Sequence, residues 1–346
     1  LDYTPTGVLS SSDLTSPTAI DGLVTSAYAA IGNGDMIGPI YSNWVYGSVR
    51  SDDTYKGGGG TGDVGEIDAI EHYNLVTPTM GAFVTRTWQN LFKSISRCNV
   101  ALRAVNTLTE ANFPNKKIRL AELRFLRAHS YFTMKLLYKN IPIFDETATD
   151  ADILKISNDL TNEESWNKIA ADFQFAIDNL PTSQAELGRA NKLSAQAYLA
   201  KLRLYQAYEQ DNNHKVTNIN KGRLQEVVAL TQAVISSGKY SLSKDIADNF
   251  IPETENGAES IFAIQFTVND GTTAGRMSYE DGLNYPHGAP QYGCCGFHAG
   301  SQNLVNAHTT DANGLPNFDT FNNKPADFAT QTVDPRLDHT VGIDGH

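Results

Sequence analysis

The longest uninterrupted run of helix-forming and apolar residues is Asn115–Phe144, in which no Gly or Pro occurs before Pro142. At about 100° per residue, apolar side chains fall on two sides of the predicted helix. One side carries Ile118, Ala121, Phe125, His129, Phe132 and Leu136, and the other carries Leu120, Leu123, Tyr131, Met134 and Tyr138. Because both sides are apolar, we expect this helix to pack between neighbouring helices rather than on a sheet with one side in water.

Other stretches of the chain show the same helical periodicity. They are Ser16–Gly32, Thr79–Leu108, Asn162–Leu180, Arg189–Glu209 and Gly222–Ser236. The pair Ala-x9-Tyr occurs at Ala121/Tyr131 and again at Ala195/Tyr205, an offset near two repeats of about 34 residues. A small residue allows helices to cross closely, so this spacing favours a tetratricopeptide-like array of stacked helical pairs.

Two long stretches lack any sustained period. Residues 33–78 are rich in Gly, Asp, Tyr and Ser, and Asn269–Gly314 is dense in Gly, Tyr, His and Asn. Before the second stretch, the run Glu259–Phe266 is typical of a β-strand. Loops of this length in a folded protein are usually functional or disordered. We therefore look for binding chemistry in these stretches.

The motif AE-x-x-FLRA-x-x-YF at Ala121–Phe132, followed by x-IP-I at Asn140–Ile143, resembles the SusD/RagB family of outer-membrane glycan-binding lipoproteins. The segment Asn191–Tyr205 is similar to the second repeat of that family, and Asp334–Leu337 is similar to a later landmark. The family usually closes the first of these helices with Gly where this chain has Asn140, and Asn is the next-best residue for a left-handed helix end.

The resemblance implies a mostly α fold with a tetratricopeptide-like helical-repeat core and a long loop-rich, mixed α/β region packed on it. Residues 1–346 would form one SusD-like domain. The core would occupy about 16–32, 79–138 and 162–237, and the loop-rich ligand region about 33–78 and 259–346.

The family continues past Asp334–Leu337 into a further long helix, so the resemblance implies that a C-terminal helical part is missing from this chain. Apolar residues of the predicted helix Gly222–Ser236 then have no later amphipathic helix to cover them. They are Leu224, Val227, Val228, Leu230, Val234 and Ile235. We expect either a separate segment or the loop-rich region to cover this helix.

The formal net charge is −12 with only 27 Lys and Arg, which argues against nucleic acid as a partner. No apolar run reaches the roughly 18 residues that span a bilayer. In the family a lipidated Cys precedes an acidic, Pro-containing strap, and Asp2–Thr6 is similar to the end of that strap. The resemblance thus implies a bacterial cell-surface protein held in the outer membrane by an N-terminal lipid anchor that is absent from this chain.

Three cysteines, Cys98, Cys294 and Cys295, provide neither a disulfide framework nor C-x-x-C metal spacing. We expect free thiols, with a vicinal disulfide between Cys294 and Cys295 as the alternative. The residues point to no cofactor and no metal site.

The segment Trp44–Tyr55 mixes aromatic residues with carboxylates and an Arg. An aromatic ring can stack on the apolar face of a pyranose, and carboxylates or Arg can bond its hydroxyls. Trp44, Asp52, Asp53 and Tyr55 are therefore candidate glycan-binding residues. The alternative is a solvated loop in which Trp44 tucks under the helices and the two Asp residues cap a turn.

A second candidate set lies in the other aperiodic stretch and comprises Tyr279, Tyr285, His287 and Tyr292. Aromatic and planar polar groups are concentrated here as well. We hypothesise that this stretch, Tyr279–His298, converges with Trp44–Tyr55 on one site.

Other motifs are set aside. G-x-G-x-x-G occurs within Gly57–Gly65, but a polar segment precedes it and no helix is expected to open at Gly65, so a flexible loop is the preferred interpretation. Asp311–Gly314 is similar to a calcium loop but lacks the later bidentate Glu. Glu122 and His129 could form a proton-transfer pair, yet a buried His satisfied by a neighbouring helix is the simpler interpretation. No H-E-x-x-H, G-x-S-x-G, Walker A or paired C-x-x-C motif occurs, and the eight His are scattered.

The sequence therefore predicts a non-catalytic, cell-surface glycan-binding protein. The resemblance implies that it delivers polysaccharide fragments to a SusC-like TonB-dependent transporter. Two alternatives remain open. A helical glycoside hydrolase would need two carboxylates across a glycosidic bond, for which the adjacent Asp52 and Asp53 are poorly spaced. A peptide-binding repeat scaffold would place its ligand on the concave helical face instead of the loops.

Overall fold

The computed structural model of the chain describes residues 16–31, 43–74, 78–266 and 295–343. The chain divides into two compact units. Unit 1 comprises Leu1–Gly32, Gln89–Ser243 and Thr254–Gln265, and unit 2 comprises Asn33–Trp88, Lys244–Glu253 and Phe266–His346. None of the helices in these described ranges combines the length and the apolar character that crossing a membrane requires.

Unit 1 is built from helices, and the prediction of a mostly α protein with a helical core is confirmed. Its helices are α1 (Pro17–Ile31), most of α3 (Pro78–Thr107), α4 (Lys116–Tyr138), α5 (Asp150–Ile153), α6 (Asn162–Asn179), α7 (Lys192–Ala207) and α8 (Lys221–Ser236). Helix α3 belongs to unit 1 from Gln89 onwards. A short antiparallel pair, β2 (Tyr208–Gln210) and β3 (Val216–Ile219), joins α7 to α8. Helix α4 packs on α1 and α6, α6 packs on α7, and α7 packs on α8.

Local sequence signals explain where these helices begin and end. At the start of α6, the Thr161 hydroxyl accepts a hydrogen bond from the Glu164 backbone N at 3.2 Å, and the Glu164 carboxylate accepts one from the Thr161 backbone N at 2.8 Å. This reciprocal capping box satisfies two backbone donors that the helix leaves free. Helix α4 ends at Tyr138, and the next residue, Lys139, has a φ of 56° and a ψ of −69°, which is not the left-handed helical conformation. Asn140 has no positive φ, so the expectation of a left-handed helix end at Asn140 is wrong.

The core of unit 1 is centred on Phe125 of α4. Its ring meets Phe173, Tyr198 and Phe262 edge-on, at centroid distances of 5.7, 5.3 and 5.0 Å. Edge-to-face contacts of this kind suit the aromatic quadrupole. Phe262 belongs to the run Glu259–Phe266, which forms no strand. The β-strand prediction for that run is wrong, and its Phe262 packs against Phe125 and Tyr198 of the helices instead.

Glu122 on α4 is fully buried and lies at the centre of a charged cluster. Its carboxylate accepts hydrogen bonds from Arg119 at 2.8 Å and Arg189 at 3.3 Å. The Tyr28 hydroxyl donates to it at 2.9 Å and the Gln184 side chain at 3.1 Å. These partners lie on α1, on α4 and in the segment before α7, so one buried charge ties three parts of unit 1 together.

One turn further along, Arg127 forms a second buried cluster. Its guanidinium holds the Asp172 carboxylate with two parallel bonds, at 2.7 and 2.9 Å. It also donates to Asn99 at 2.6 Å and to Glu146 at 2.5 Å. The bidentate geometry explains why an Arg and not a Lys serves here, since a planar fork matches a carboxylate.

Helix α8 is covered on one side only by the described residues. Val234 is buried, whereas Val228 and Ile235 are 66% and 68% exposed. Helix α7 packs against the buried side. That a separate segment or the loop-rich region covers the other side of α8 stays a prediction.

Unit 2 has short elements and little regular structure. They are β1 (Thr54–Gly57), α2 (Gly65–Glu71), the first part of α3, β4 (Phe297–Gly300), α9 (Gln302–Ala307), β5 (Thr309–Thr310), β6 (Thr332–Val333) and α10 (Leu337–Thr340). Strand β1 pairs antiparallel with β4, and β5 pairs antiparallel with β6. Unit 2 has a small apolar core, which consists of Val45, Ile67, Ala69, Ile70 and Phe297.

Candidate functional site

The segment that follows Arg50 is held in place by residues almost 250 positions later in the chain. In the β1–β4 ladder, Tyr55 lies opposite Ala299 and Gly57 lies opposite Phe297. Beyond the ladder, the backbone N and hydroxyl of Ser301 donate to the carbonyls of Asp53 and Asp52, at 2.9 and 2.5 Å. Residues 297–301 of the second aperiodic stretch thus contact residues 52–57 of the first stretch inside unit 2.

Trp44 is a packing residue in this structure. Its ring stacks on His298 with the centroids 4.6 Å apart and lies against the core of unit 2. Its indole N–H is buried and has no hydrogen-bond acceptor among the described residues. A ring held in this way has little open surface for a sugar, and a role of Trp44 in ligand binding stays a prediction.

Asp52 and Asp53 lie in the turn that leads into β1. Asp52 is exposed and has a positive φ of 63°, a conformation that Asp tolerates better than most residues. The Asp53 carboxylate accepts a hydrogen bond from the Ser51 hydroxyl at 2.7 Å. Both residues therefore help to shape a turn, and Asp52 is exposed to solvent.

Tyr55 is 54% exposed because alternate residues of β1 point to opposite sides. Its neighbours Thr54 and Lys56 point inward and are buried. The Lys56 ammonium donates to the carbonyls of Gly60 and Asp63, at 2.7 and 2.6 Å. These bonds hold the glycine-rich loop beneath the strand and leave the Tyr55 ring outside.

The glycine-rich segment opens a helix after all. Helix α2 begins at Gly65, so the expectation that no helix would start there is wrong. The strand before it is one of an antiparallel pair, whereas a dinucleotide fingerprint follows a parallel, buried strand. Gly58 has a φ of 73°, and a Cβ there would lie 2.6 Å from the Phe297 ring. Glycine is needed here for close packing.

Tyr73, which the sequence analysis did not select, is 58% exposed in the turn after α2. Its hydroxyl donates to the Arg50 carbonyl at 2.5 Å, and the Arg50 guanidinium lies 4.1 Å from the ring centroid. Its φ is 55°. No periodic pattern marks this residue, because its position depends on a contact with Arg50 across 23 residues.

Several predicted residues lie outside the part of the chain that the structure describes. They are Tyr279, Tyr285, His287, Tyr292 and Cys294. Cys295, within the described part, is disulfide-bonded, so the expectation of free thiols is wrong for this residue. Cys98 is a free thiol, and burial raises its pKa to about 12.

The remaining titratable candidates have structural surroundings. Burial lowers the pKa of His129 to about 4, with a smaller contribution from Lys201. Its ring meets Tyr198 edge-on at 5.3 Å, and its Nδ1 has no hydrogen-bond partner among the described residues. Because the Glu122 carboxylate is occupied by its own cluster, the two side chains form no proton-transfer pair. The simpler interpretation of a His with its hydrogen bonds satisfied is wrong for Nδ1.

Two places in the described residues bring together side chains of the kind that bind metals. The Asp311 carboxylate accepts backbone hydrogen bonds from Asn313 at 2.8 Å and Leu315 at 2.9 Å, which lower its pKa and close a turn. In the described ranges, ligand atoms of Asp68, Glu71 and His72 lie within 4.8 Å of one another on α2. These groups are common on exposed helix turns, and we assign no metal to either.

The chain is similar in sequence to a known protein family and to curated relatives. Residues 8–204 match a SusD-like family model described as "Starch-binding associating with outer membrane". The chain is 24% identical over 240 residues to SusD-like protein P25 of Formosa agariphila, covering 65% of this chain and 42% of that protein.

Solved structures share the fold. Surface glycan-binding protein A from Bacteroides fluxus is similar at 25% identity with a TM-score of 0.58, over 71% of this chain and 49% of that one. Surface glycan-binding protein A from Bacteroides thetaiotaomicron, solved in complex with laminarihexaose, is similar at 19% identity with a TM-score of 0.65, over 93% and 69% of the two chains. The chain spans about half the length of the first of these relatives. With more than half of its residues matched by the family model, the chain belongs to the SusD-like family.

Proposed function

We propose that this protein is a non-catalytic glycan-binding protein of the bacterial cell surface. It delivers polysaccharide fragments to a SusC-like TonB-dependent transporter and is held in the outer membrane by an N-terminal lipid anchor. Membership of the SusD-like family carries this proposal. The similarity to a glycan-binding protein solved with laminarihexaose supports it at the level of the fold.

The glycan site of the proposal lies in unit 2. Tyr55 offers an open ring, and Asp52 and Asp53 offer carboxylates on the turn before it. Trp44, Tyr279, Tyr285, His287 and Tyr292 complete the proposed set. Stacking on an aromatic face and bonding of hydroxyls by planar polar groups are the two halves of sugar recognition.

Affinity electrophoresis in gels that contain laminarin, starch, xyloglucan or alginate tests the proposal. We expect the migration of the protein to be retarded by at least one of them and no reducing ends to be released. Tyr55→Ala, Tyr285→Ala and Tyr292→Ala should each weaken binding by roughly 1 kcal/mol, or about fivefold. Tyr208→Ala, which removes a 41% exposed ring of unit 1, is the matched control. Release of reducing ends would instead favour a glycoside hydrolase.

The transporter partner is tested separately by affinity purification of the lipidated, full-length protein from native outer membranes. We expect a β-barrel protein to be recovered with it, across an interface of more than about 1,000 Å². Recovery without any barrel, under detergent conditions that preserve known outer-membrane complexes, would contradict this part of the proposal.

A further inference from the structure

The ends of α4 and α7 form one exposed surface of unit 1. Phe132 of α4 joins them, because its ring centroid lies 5.6 Å from that of Tyr205 and 5.7 Å from the Lys201 ammonium. Around this contact, apolar side chains with exposed fractions of 41–46% stand beside exposed lysines. We call this surface the cationic face, and it consists of Leu136, Lys139, Lys201, Leu204, Tyr205 and Tyr208. Exposed apolar residues that cluster in this way mark an interaction site.

The charge of this face is opposite to that of the chain as a whole. The chain carries 39 Asp and Glu and a net charge of −12, yet residues 123–144 and 187–208 contain no Asp or Glu. The arginines of these two stretches are paired with carboxylates from elsewhere, whereas none of their lysines forms an ion pair within the described residues. Burial lowers the pKa of Lys135, and the Lys139 ammonium lowers it further, as expected where cations gather without a counter-charge.

Two carboxylates follow the face in the hairpin of β2 and β3, and both are engaged there. The Glu209 carboxylate accepts hydrogen bonds from the side-chain amides of Asn218 at 3.0 Å and Asn220 at 3.2 Å. The Asp211 carboxylate accepts two backbone N–H bonds within its own turn, at 2.8 and 3.0 Å. These carboxylates stabilise the hairpin and leave the lysines of the cationic face without a partner.

A surface of the opposite charge lies in residues 150–159. This segment contains α5 and carries three carboxylates against one cation, namely Asp150, Asp152, Asp159 and Lys155. Its Leu154 is 88% exposed, which is the largest exposed fraction among the large apolar residues that the structure describes. Each of the two surfaces thus combines an apolar part with charge of one sign, and the signs are complementary.

The two surfaces are neighbours on the same unit. The Asn158 side chain donates to the carbonyl of Asn140 at 3.4 Å, and Asn140 directly follows Lys139 of the cationic face. Adjacent complementary surfaces suit a closed two-fold dimer, in which each surface of one copy meets the other surface of its partner.

We propose that this protein forms a symmetric homodimer in which the cationic face of each copy docks on residues 150–159 of the other. Leu154 packs on the exposed rings of Tyr205 and Tyr208, and the lysines of the face pair with the carboxylates of the segment. The apolar contact supplies most of the affinity, while the charges fix the orientation of the two copies. The dimer involves unit 1 alone and does not depend on the glycan-binding function.

Sedimentation equilibrium of the purified chain over a wide range of protein concentration tests the proposal. We expect the average mass to rise from that of the monomer to twice that value. Leu154→Asp removes the apolar contact and places a carboxylate in the acidic segment, so it should raise the dissociation constant by at least about tenfold. Because Leu154 is exposed in the monomer, the melting temperature of the monomeric variant should equal that of monomeric wild type.

A charge exchange tests whether the two surfaces meet each other. The double variants Lys139→Glu/Lys201→Glu and Asp150→Lys/Asp159→Lys should each be monomeric alone, because like charges then face each other in both contacts. An equimolar mixture of the two variants should dimerise about as strongly as wild type, because both contacts of the mixed dimer then join opposite charges.

The matched control is Lys117→Glu/Lys239→Glu, which makes the same change of charge at exposed lysines of unit 1 outside the cationic face and should dimerise as wild type does. Wild type that stays monomeric at every concentration would overturn the proposal. A dimer that survives Leu154→Asp and both charge variants would overturn it too, because another surface then forms the dimer. A mixture of the charge variants that stays monomeric would show that the two surfaces do not meet. Monomeric wild type that floats with phosphatidylglycerol vesicles would assign the cationic face to a lipid surface instead.

Discussion

In unit 1 the buried Arg119 and Arg127 of α4 are paired with carboxylates, whereas in unit 2 the ammonium of the buried Lys56 is hydrogen-bonded to backbone carbonyls of the glycine-rich loop. The difference follows from how each unit satisfies its backbone. Residues in the middle of a helix bond to their own helix, so a buried Arg finds carboxylates as its partners. Carbonyls in a glycine-rich loop have no such partners, and a lysine with three donors can supply them.

The aromatic residues differ between the units in the same sense. Around Phe125 in unit 1, rings pack against rings, and Phe125 and Phe173 are fully buried. In unit 2, Tyr55 and Tyr73 are each more than half exposed and are held by the backbone and by Arg50. Packing between helices buries aromatic rings, whereas short strands and turns can leave them exposed to solvent. The loop-rich unit is thus the better place for a ligand site.

The largest expected effect tests the buried charges of unit 1. Arg127→Ala takes the nearest cation from the carboxylates of Asp172 and Glu146, which keep the more distant Arg124 at 3.9 and 3.6 Å, and should lower the free energy of unfolding by roughly 3 kcal/mol. The matched control is Arg336→Ala in unit 2, where the partner Asp334 forms an exposed pair with it. That change should have a much smaller effect, because solvent screens an exposed pair. Urea denaturation of both variants measures the difference, and equal losses would contradict the comparison.

A second test uses pH. Because the pKa of folded His129 is about 4 against 6.5 for the free side chain, the unfolded chain takes up a proton between these values and the folded chain does not. Stability should be full above pH 6.5, fall as the pH drops towards about 4, and level off below that. The loss is up to about 3 kcal/mol.

Urea denaturation of wild type and His129→Gln at pH 7.5 and pH 4.5 measures this contribution. The difference between the two proteins should change with pH, because the substituted side chain does not titrate. A difference that is the same at both pH values would show that His129 is accessible to protons in the folded state.

The smallest expected effect concerns the glycine-rich loop of unit 2. Gly58→Ala introduces a Cβ at a φ of 73° and within 2.6 Å of the Phe297 ring, and should destabilise by more than about 1 kcal/mol. Gly62→Ala, in the same loop, meets no atom within 4 Å and should change stability by less than about 0.5 kcal/mol. Thermal denaturation of the two variants compares them, and similar melting temperatures would mean that the loop is not packed as described.

Much of unit 1 could be predicted from the sequence because its signals are local. Periodicity and capping residues located α6 at Asn162–Asn179 and α8 at Lys221–Ser236 to within a residue or two of the predicted bounds. The apolar character of α4 on two sides correctly indicated a helix buried between others. One error is also local: the positive φ at the end of α4 falls on Lys139, and Asn140 does not take the left-handed conformation predicted for it.

The helices of unit 1 and the family could be predicted from the sequence, since both depend on residues a few positions apart. The ladder between β1 and β4, the stacking of Trp44 on His298 and the contact of Tyr73 with Arg50 could not be predicted. These depend on contacts between residues that are tens to hundreds of positions apart, such as Ser301 with Asp52 and Tyr73 with Arg50. A local sequence pattern does not indicate such distant partners. Which aromatic rings are exposed and which are buried therefore depends on the tertiary structure.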